Sequence, residues 1–70
     1  MKQDNKMNGT VLWYDVNRGY GFLQGEDELQ YFLHRSNILN QVQLLPQDEV
    51  EFIPSVNEKG TVALNVIRIE

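Results

Sequence analysis

The side chains best equipped for chemistry in this 70-residue chain lie in its middle third. They run Arg18-Gly19-Tyr20-Gly21-Phe22 and then Tyr31-Phe32-Leu33-His34-Arg35-Ser36. His34 and Ser36 have the types of a general base and a nucleophile, but such a pair needs a third group to orient the base. No residue of the sequence can be assigned that part, so His34 reads as a stacking or hydrogen-bonding group and the chain as a non-enzyme with no catalytic residue. Glu26-Asp27-Glu28 offers three carboxylates. The run lacks the Asp-x-Asp-x-Asp-Gly spacing of a calcium loop, so it reads as a solvated turn, and neither a metal nor a cofactor is expected. What remains is binding through rings held in a row with cations beside them.

Strands are the elements that would hold such a row. Val, Ile, Phe, Tyr, Trp and Thr make up 20 residues against a single Ala, a balance that favours pleated strands over helices. Turn signals at 17–19, 25–28, 36–43 and 54–60 divide the chain into five strands near 8–15, 19–24, 29–34, 48–53 and 62–69. In so short a chain, closure into a small barrel is the cheapest way to remove sheet edges. Side chains alternate along a strand, so Tyr20 shares a face with Phe22, and Phe32 with His34. A hairpin across residues 25–28 would merge the four into one face. Val11, Leu23, Tyr31, Leu33, Ile38, Val50, Phe52, Leu64 and Val66 are then left for the interior. Trp13 and Tyr14 are adjacent, and strict alternation puts them on opposite faces, so one of them must bridge face and rim. Gly19 and Gly21 strip bulk from the side of the strand opposite Tyr20. An outer cluster of three or four rings exceeds what a domain of this size needs for burial, and exposed apolar clusters mark binding sites.

Composition bounds the rest. One small domain is expected over residues 7–70, preceded by a short extension over 1–6. With no cysteine, neither disulfides nor a thiolate metal site can brace the core. The first residues carry no apolar leader and no window has the length of a membrane span, so a cytoplasmic protein without a membrane partner is expected. Six Lys and Arg against ten Asp and Glu, a formal charge of -4, is a poor balance for binding phosphates unless the cations gather on one face. Asp48, Glu49 and Glu51 read as solvated edge charges, and Lys2, Lys6 and Arg68 as terminal cations without specific roles.

Four blocks then carry a resemblance. Arg18-Gly19-Tyr20-Gly21-Phe22-Leu23 resembles the first ribonucleoprotein motif. Gly9-Thr10-Val11-Leu12-Trp13-Tyr14 is similar to the opening of bacterial cold-shock proteins, G-x-V-K-W-F-N. Tyr31-Phe32-Leu33-His34-Arg35-Ser36-Asn37-Ile38 resembles that family's V-F-V-H-x-S-A-I, and Lys59-Gly60-Thr61-Val62-Ala63-Leu64-Asn65-Val66 its K/R-G-P-x-A-x-N-V. The chain is thus identified as a divergent member of the bacterial cold-shock family. The resemblance implies an all-β, five-stranded antiparallel OB-type barrel that binds single-stranded RNA or DNA with low sequence specificity and acts as a nucleic-acid chaperone. It implies base stacking by Trp13, Tyr20, Phe22, Phe32 and His34, backbone guidance by Arg18 and Lys59, and lesser parts for Tyr14, Gln30 and Arg35. A monomer is the family default, and no small-molecule substrate is expected.

The chain departs from the family pattern at Leu12 in place of Lys, Asp15 in place of Asn, Gln30 in place of Asp and Thr61 in place of Pro. Arg35 stands where Phe or Gln is usual, and residues 39–45 form a shorter loop without the family's aromatic. Leu12, the lost loop aromatic and the acidic charge support an alternative, a barrel of the same fold whose aromatic face binds a protein partner or mediates self-association. Arg35 is open to two uses, as a phosphate contact or as a carboxylate's partner. Each stacked base contributes about 1–3 kcal/mol. If Arg18, Arg35 and Lys59 each meet one phosphate, log K falls against log salt with a slope of only about -2. Stacking is therefore expected to dominate.

Overall fold

The computed structural model describes residues 5–39 and 43–69. Residues 1–4 of the expected extension and residues 40–42 of the shortened loop lie outside them. Five strands form: β1 over Met7–Asp15, β2 over Tyr20–Gly25, β3 over Gln30–His34, β4 over Glu49–Asn57 and β5 over Gly60–Arg68. They close into a barrel in the order β1-β2-β3-β5-β4. The antiparallel expectation needs one correction, because β3 and β5 run parallel through the pair Phe32↔Val62. A ring with an odd number of strands cannot alternate direction at every seam. A 3₁₀ turn over Arg35–Asn37 leads out of β3, and a parallel bridge between Ile38 and Val66 continues the same seam.

The interior is Val11, Leu23, Tyr31, Leu33, Ile38, Leu44, Val50, Phe52, Ala63 and Val66. Eight of the nine residues expected there are in place. Leu64 is the exception: it is only partly buried, and Ala63 takes the inward position. The cause is a bulge in β5, where Glu51↔Ile67 and Ile53↔Leu64 set three residues of β5 against two of β4. Asn65 adopts φ 51° there, and the extra residue breaks the period of two on which the expectation rested. Leu44 joins the core from the loop before β4, where no periodicity could announce it.

Pro54 is a second correction, since it lies inside β4 opposite Ala63 and the strand continues to Asn57. The last pair between β1 and β4 is Met7↔Phe52. Beyond it one side of β4 has no ladder partner, and such a side tolerates a residue without an N–H. Closure also leaves fewer free carboxylates than expected. Asp48 accepts the Leu45 N–H at 2.9 Å and lies 3.8 Å from Arg68, and Glu51 lies 3.8 Å from Lys6. Asp27 in the β2–β3 turn is not simply solvated either. It accepts the hydroxyl of the buried Tyr31 at 2.7 Å and the Leu29 N–H at 3.0 Å. The Tyr31 hydroxyl, followed by the Leu29 N–H, holds the Asp27 carboxyl below its ordinary range, and the same bond pushes the Tyr31 phenol up.

Candidate functional site

The outer face of the β2–β3 hairpin is set by its register. Tyr20 pairs with His34 and Phe22 with Phe32, the arrangement that alternation and a hairpin across 25–28 require. Trp13 reaches the same face through a bulge in β1. Val11 pairs with Leu23 and Trp13 with Phe22, so two residues of β1 advance against one of β2. Val11 therefore points inward and Trp13, two residues later, outward, with Leu12 left half-exposed at the bulge. That resolves the adjacent aromatics: Tyr14 turns back and packs against the core, and it takes no place among the outer rings. Gly21 makes the crossing possible, because a Cβ there would run into the Trp13 carbonyl.

The five rings form one continuous surface. Trp13 lies 5.8 Å from both Tyr20 and Phe22, Tyr20 5.9 Å from Phe32, Phe22 5.7 Å from Phe32, and Phe32 6.3 Å from His34. All five pairs are tilted or edge-on, away from the face-to-face sandwich that aromatic quadrupoles disfavour. Trp13 is 42% exposed although it is the largest side chain present. The rings steady one another without covering one another, so their outer faces stay open to a flat ligand.

Polar groups are arranged at two ends of this face. At the Phe22/Phe32 end a groove of about 590 Å³ is lined by both rings together with Asn57, Lys59, Gly60, Thr61 and Val62. The Asn57 side chain accepts the Lys59 N–H at 2.8 Å and so shapes the β4–β5 turn. Thr61, in place of the family's Pro, donates its hydroxyl to the Gln30 carbonyl at 2.6 Å. Gln30 itself stays exposed beside the groove. Asn57 and Val62 were not singled out from the sequence, and Thr61 only as a departure from the family pattern; Phe32↔Val62 is a long-range pairing, and only the match around Lys59-Gly60 hinted at it.

At the Tyr20/His34 end, Arg18 lies 3.7 Å from Asp15 and donates a long bond of 3.4 Å to the Tyr20 hydroxyl. The Tyr20 bond, and then Asp15, push the Arg18 guanidinium above its ordinary value. Ser36 donates its N–H to His34 Nδ1 at 3.1 Å, with its hydroxyl 2.9 Å from the same atom. A backbone N–H can only donate, so Nδ1 accepts and the neutral ring carries its proton on Nε2, ready for a ligand. Arg35 follows directly, its guanidinium lying against Gly19. Among the described residues no group of three or more His, Asp or Glu side chains could hold a metal ion.

A family profile described as the 'Cold-shock' DNA-binding domain matches residues 7–69. This chain belongs to the cold-shock domain family. The "Major cold shock protein" of Micrococcus luteus is 38% identical over 64 residues, covering 87% of this chain and 96% of its own. "Cold shock protein 1" of Lactiplantibacillus plantarum is 37% identical over 62 residues, 86% of this chain and 94% of that protein. Among solved structures, the Drosophila Unr CSD456 matches with a TM-score of 0.77 and 25% identity over 96% of this chain and 28% of that longer chain. Membership supports nucleic-acid binding in general, in a family that is not one of enzymes.

Proposed function

We propose that this cold-shock domain, working through residues 7–70, binds single-stranded RNA or DNA with low sequence specificity by stacking bases on Trp13, Tyr20, Phe22, Phe32 and His34. The observation that carries the reading is the unbroken run of half-exposed rings across β1, β2 and β3. Every base has a π-face, so a ring platform binds single strands without reading their sequence. Paired bases present no free face. Lys59 in the groove beside Phe22 and Phe32 supplies a cation for the backbone. As a cytoplasmic monomer, such a protein traps unpaired strands and shifts hairpins toward the open form by mass action, a chaperone activity that needs no energy source.

Phe32 lies at the centre of the ring contacts, touching Tyr20, Phe22 and His34, so Phe32→Ala tests the reading. Anisotropy titration with a labelled pyrimidine-rich single strand should show a loss of about 1–3 kcal/mol, roughly 5- to 150-fold in Kd. An unchanged Kd would turn the face over to a protein partner or to self-association.

A further inference from the structure

The cations at the Tyr20/His34 end of the face are not equivalent. Arg18 is matched by Asp15, whose carboxylate also accepts the Asn17 and Arg18 N–H groups at 3.0 and 3.2 Å and so stays fixed beside it. The pair is exposed and contributes little to stability. Its consequence is electrostatic: an incoming phosphate meets a net charge of zero. Arg35 is the opposite case. Among the described residues no carboxylate pairs with it, and both its main chain and its guanidinium meet Gly19. Its main-chain N–H donates to the Gly19 carbonyl at 2.8 Å. Its guanidinium lies flat enough on Gly19 that a Cβ there would stand 2.9 Å from Nε and 3.0 Å from Cζ. Gly19 adopts φ 78°, a conformation that glycine accepts without strain. The chain thus keeps the surface under the guanidinium bare. A cation resting on this bare surface loses less side-chain freedom on binding than one free in solvent, and five N–H donors suit it to a phosphate.

We infer that the phosphate contact at this end of the face is made by Arg35, with Arg18 silenced by Asp15, so that the strand's backbone passes from Arg35 to Lys59. This rests on the single-strand reading above and assigns its charges. The test is the dependence of log K on log salt for an oligothymidylate, read by anisotropy. Each phosphate contact on a single strand adds about 0.7 to the steepness of that slope. Arg35→Gln should flatten the wild-type slope by about that amount and weaken binding several-fold, while Arg18→Gln should change it by less than half as much. Asp15→Asn keeps an oxygen that can accept the two turn N–H groups and removes only the charge. It should steepen the slope by about 0.7, and adding Arg18→Gln should reverse the gain.

Arg35→Phe separates charge from stacking: it should keep most of the affinity and still show the flatter slope. Equal effects of Arg18→Gln and Arg35→Gln, a larger effect at Arg18, or no change with Asp15→Asn would each overturn the assignment. The wild type itself separates the two levels of the account. If it binds and Arg35→Gln leaves the slope intact, only the assignment fails; if it does not bind, the single-strand reading fails as well.

Discussion

The two sides of the β2–β3 hairpin use the same kinds of side chain for different ends. On the inner side Leu23 and Leu33 are fully buried, and Tyr31 packs its ring 5.0 Å from that of Phe52. On the outer side Phe22 and Phe32 sit 5.7 Å apart, at a similar contact distance, yet remain half-exposed. An inner ring has protein on every side, and its burial contributes to folding. An outer ring meets its neighbours mainly at its rim, and the apolar area it leaves in water is available to a ligand. The polar groups divide in the same way. The Tyr31 hydroxyl is consumed by Asp27 inside the fold, whereas the Nε2 proton of His34 is left for a partner.

The comparison predicts that truncation costs stability on one side and binding on the other. The largest effect should come from Phe52→Ala, which empties a fully buried site and should cost about 3–5 kcal/mol in chemical unfolding. That is a large share of the roughly 4–10 kcal/mol typical of a 70-residue domain. A loss under about 1 kcal/mol would mean that the interior is looser than its packing indicates. Phe32→Ala comes next, with its 1–3 kcal/mol expressed in binding and less than about 1 kcal/mol in unfolding. A large unfolding penalty there would erase the distinction between the two sides.

Tyr31→Phe should cost least, the net contribution of one hydrogen bond, and its pH dependence identifies the bond. The Asp27 carboxyl is lowered in the folded state, so its contribution is present above about pH 4 and fades as pH falls through the folded value. The Tyr31 phenol is raised, so its contribution is present below about pH 10 and is lost as pH climbs through the folded value. Unfolding midpoints of the wild type should fall at both ends of that window, and Tyr31→Phe should remove the alkaline fall. An unaltered alkaline fall would place its origin elsewhere.

Much of the outer face was legible because it depends on local rules. Period-two alternation places Tyr20 with Phe22 and Phe32 with His34, and the turn between the strands sets their register. The parts that were not legible are those where one residue is inserted or a partner is distant. The bulge at Leu12 decides between Trp13 and Tyr14, and the bulge at Asn65 exchanges Leu64 for Ala63; neither is marked by glycine, the usual signal. Leu44 is buried by a loop with no pattern, and Pro54 reads as a turn until the missing partner strand beyond Met7 is known. The pairing of Asp15 with Arg18 rests on the closed turn over residues 15–18, and the freedom of Arg35 on what surrounds it in space.

The central claim is that the outer rings stack unpaired bases, and Trp13 reports on it directly. Its fluorescence should be titrated with a short pyrimidine-rich single strand at two salt concentrations, with a duplex of the same sequence alongside. Saturable quenching by the single strand, weakly affected by salt and absent with the duplex, is the predicted result. Equal quenching by the duplex, a salt slope steeper than about -4, or no change at high micromolar strand would contradict it.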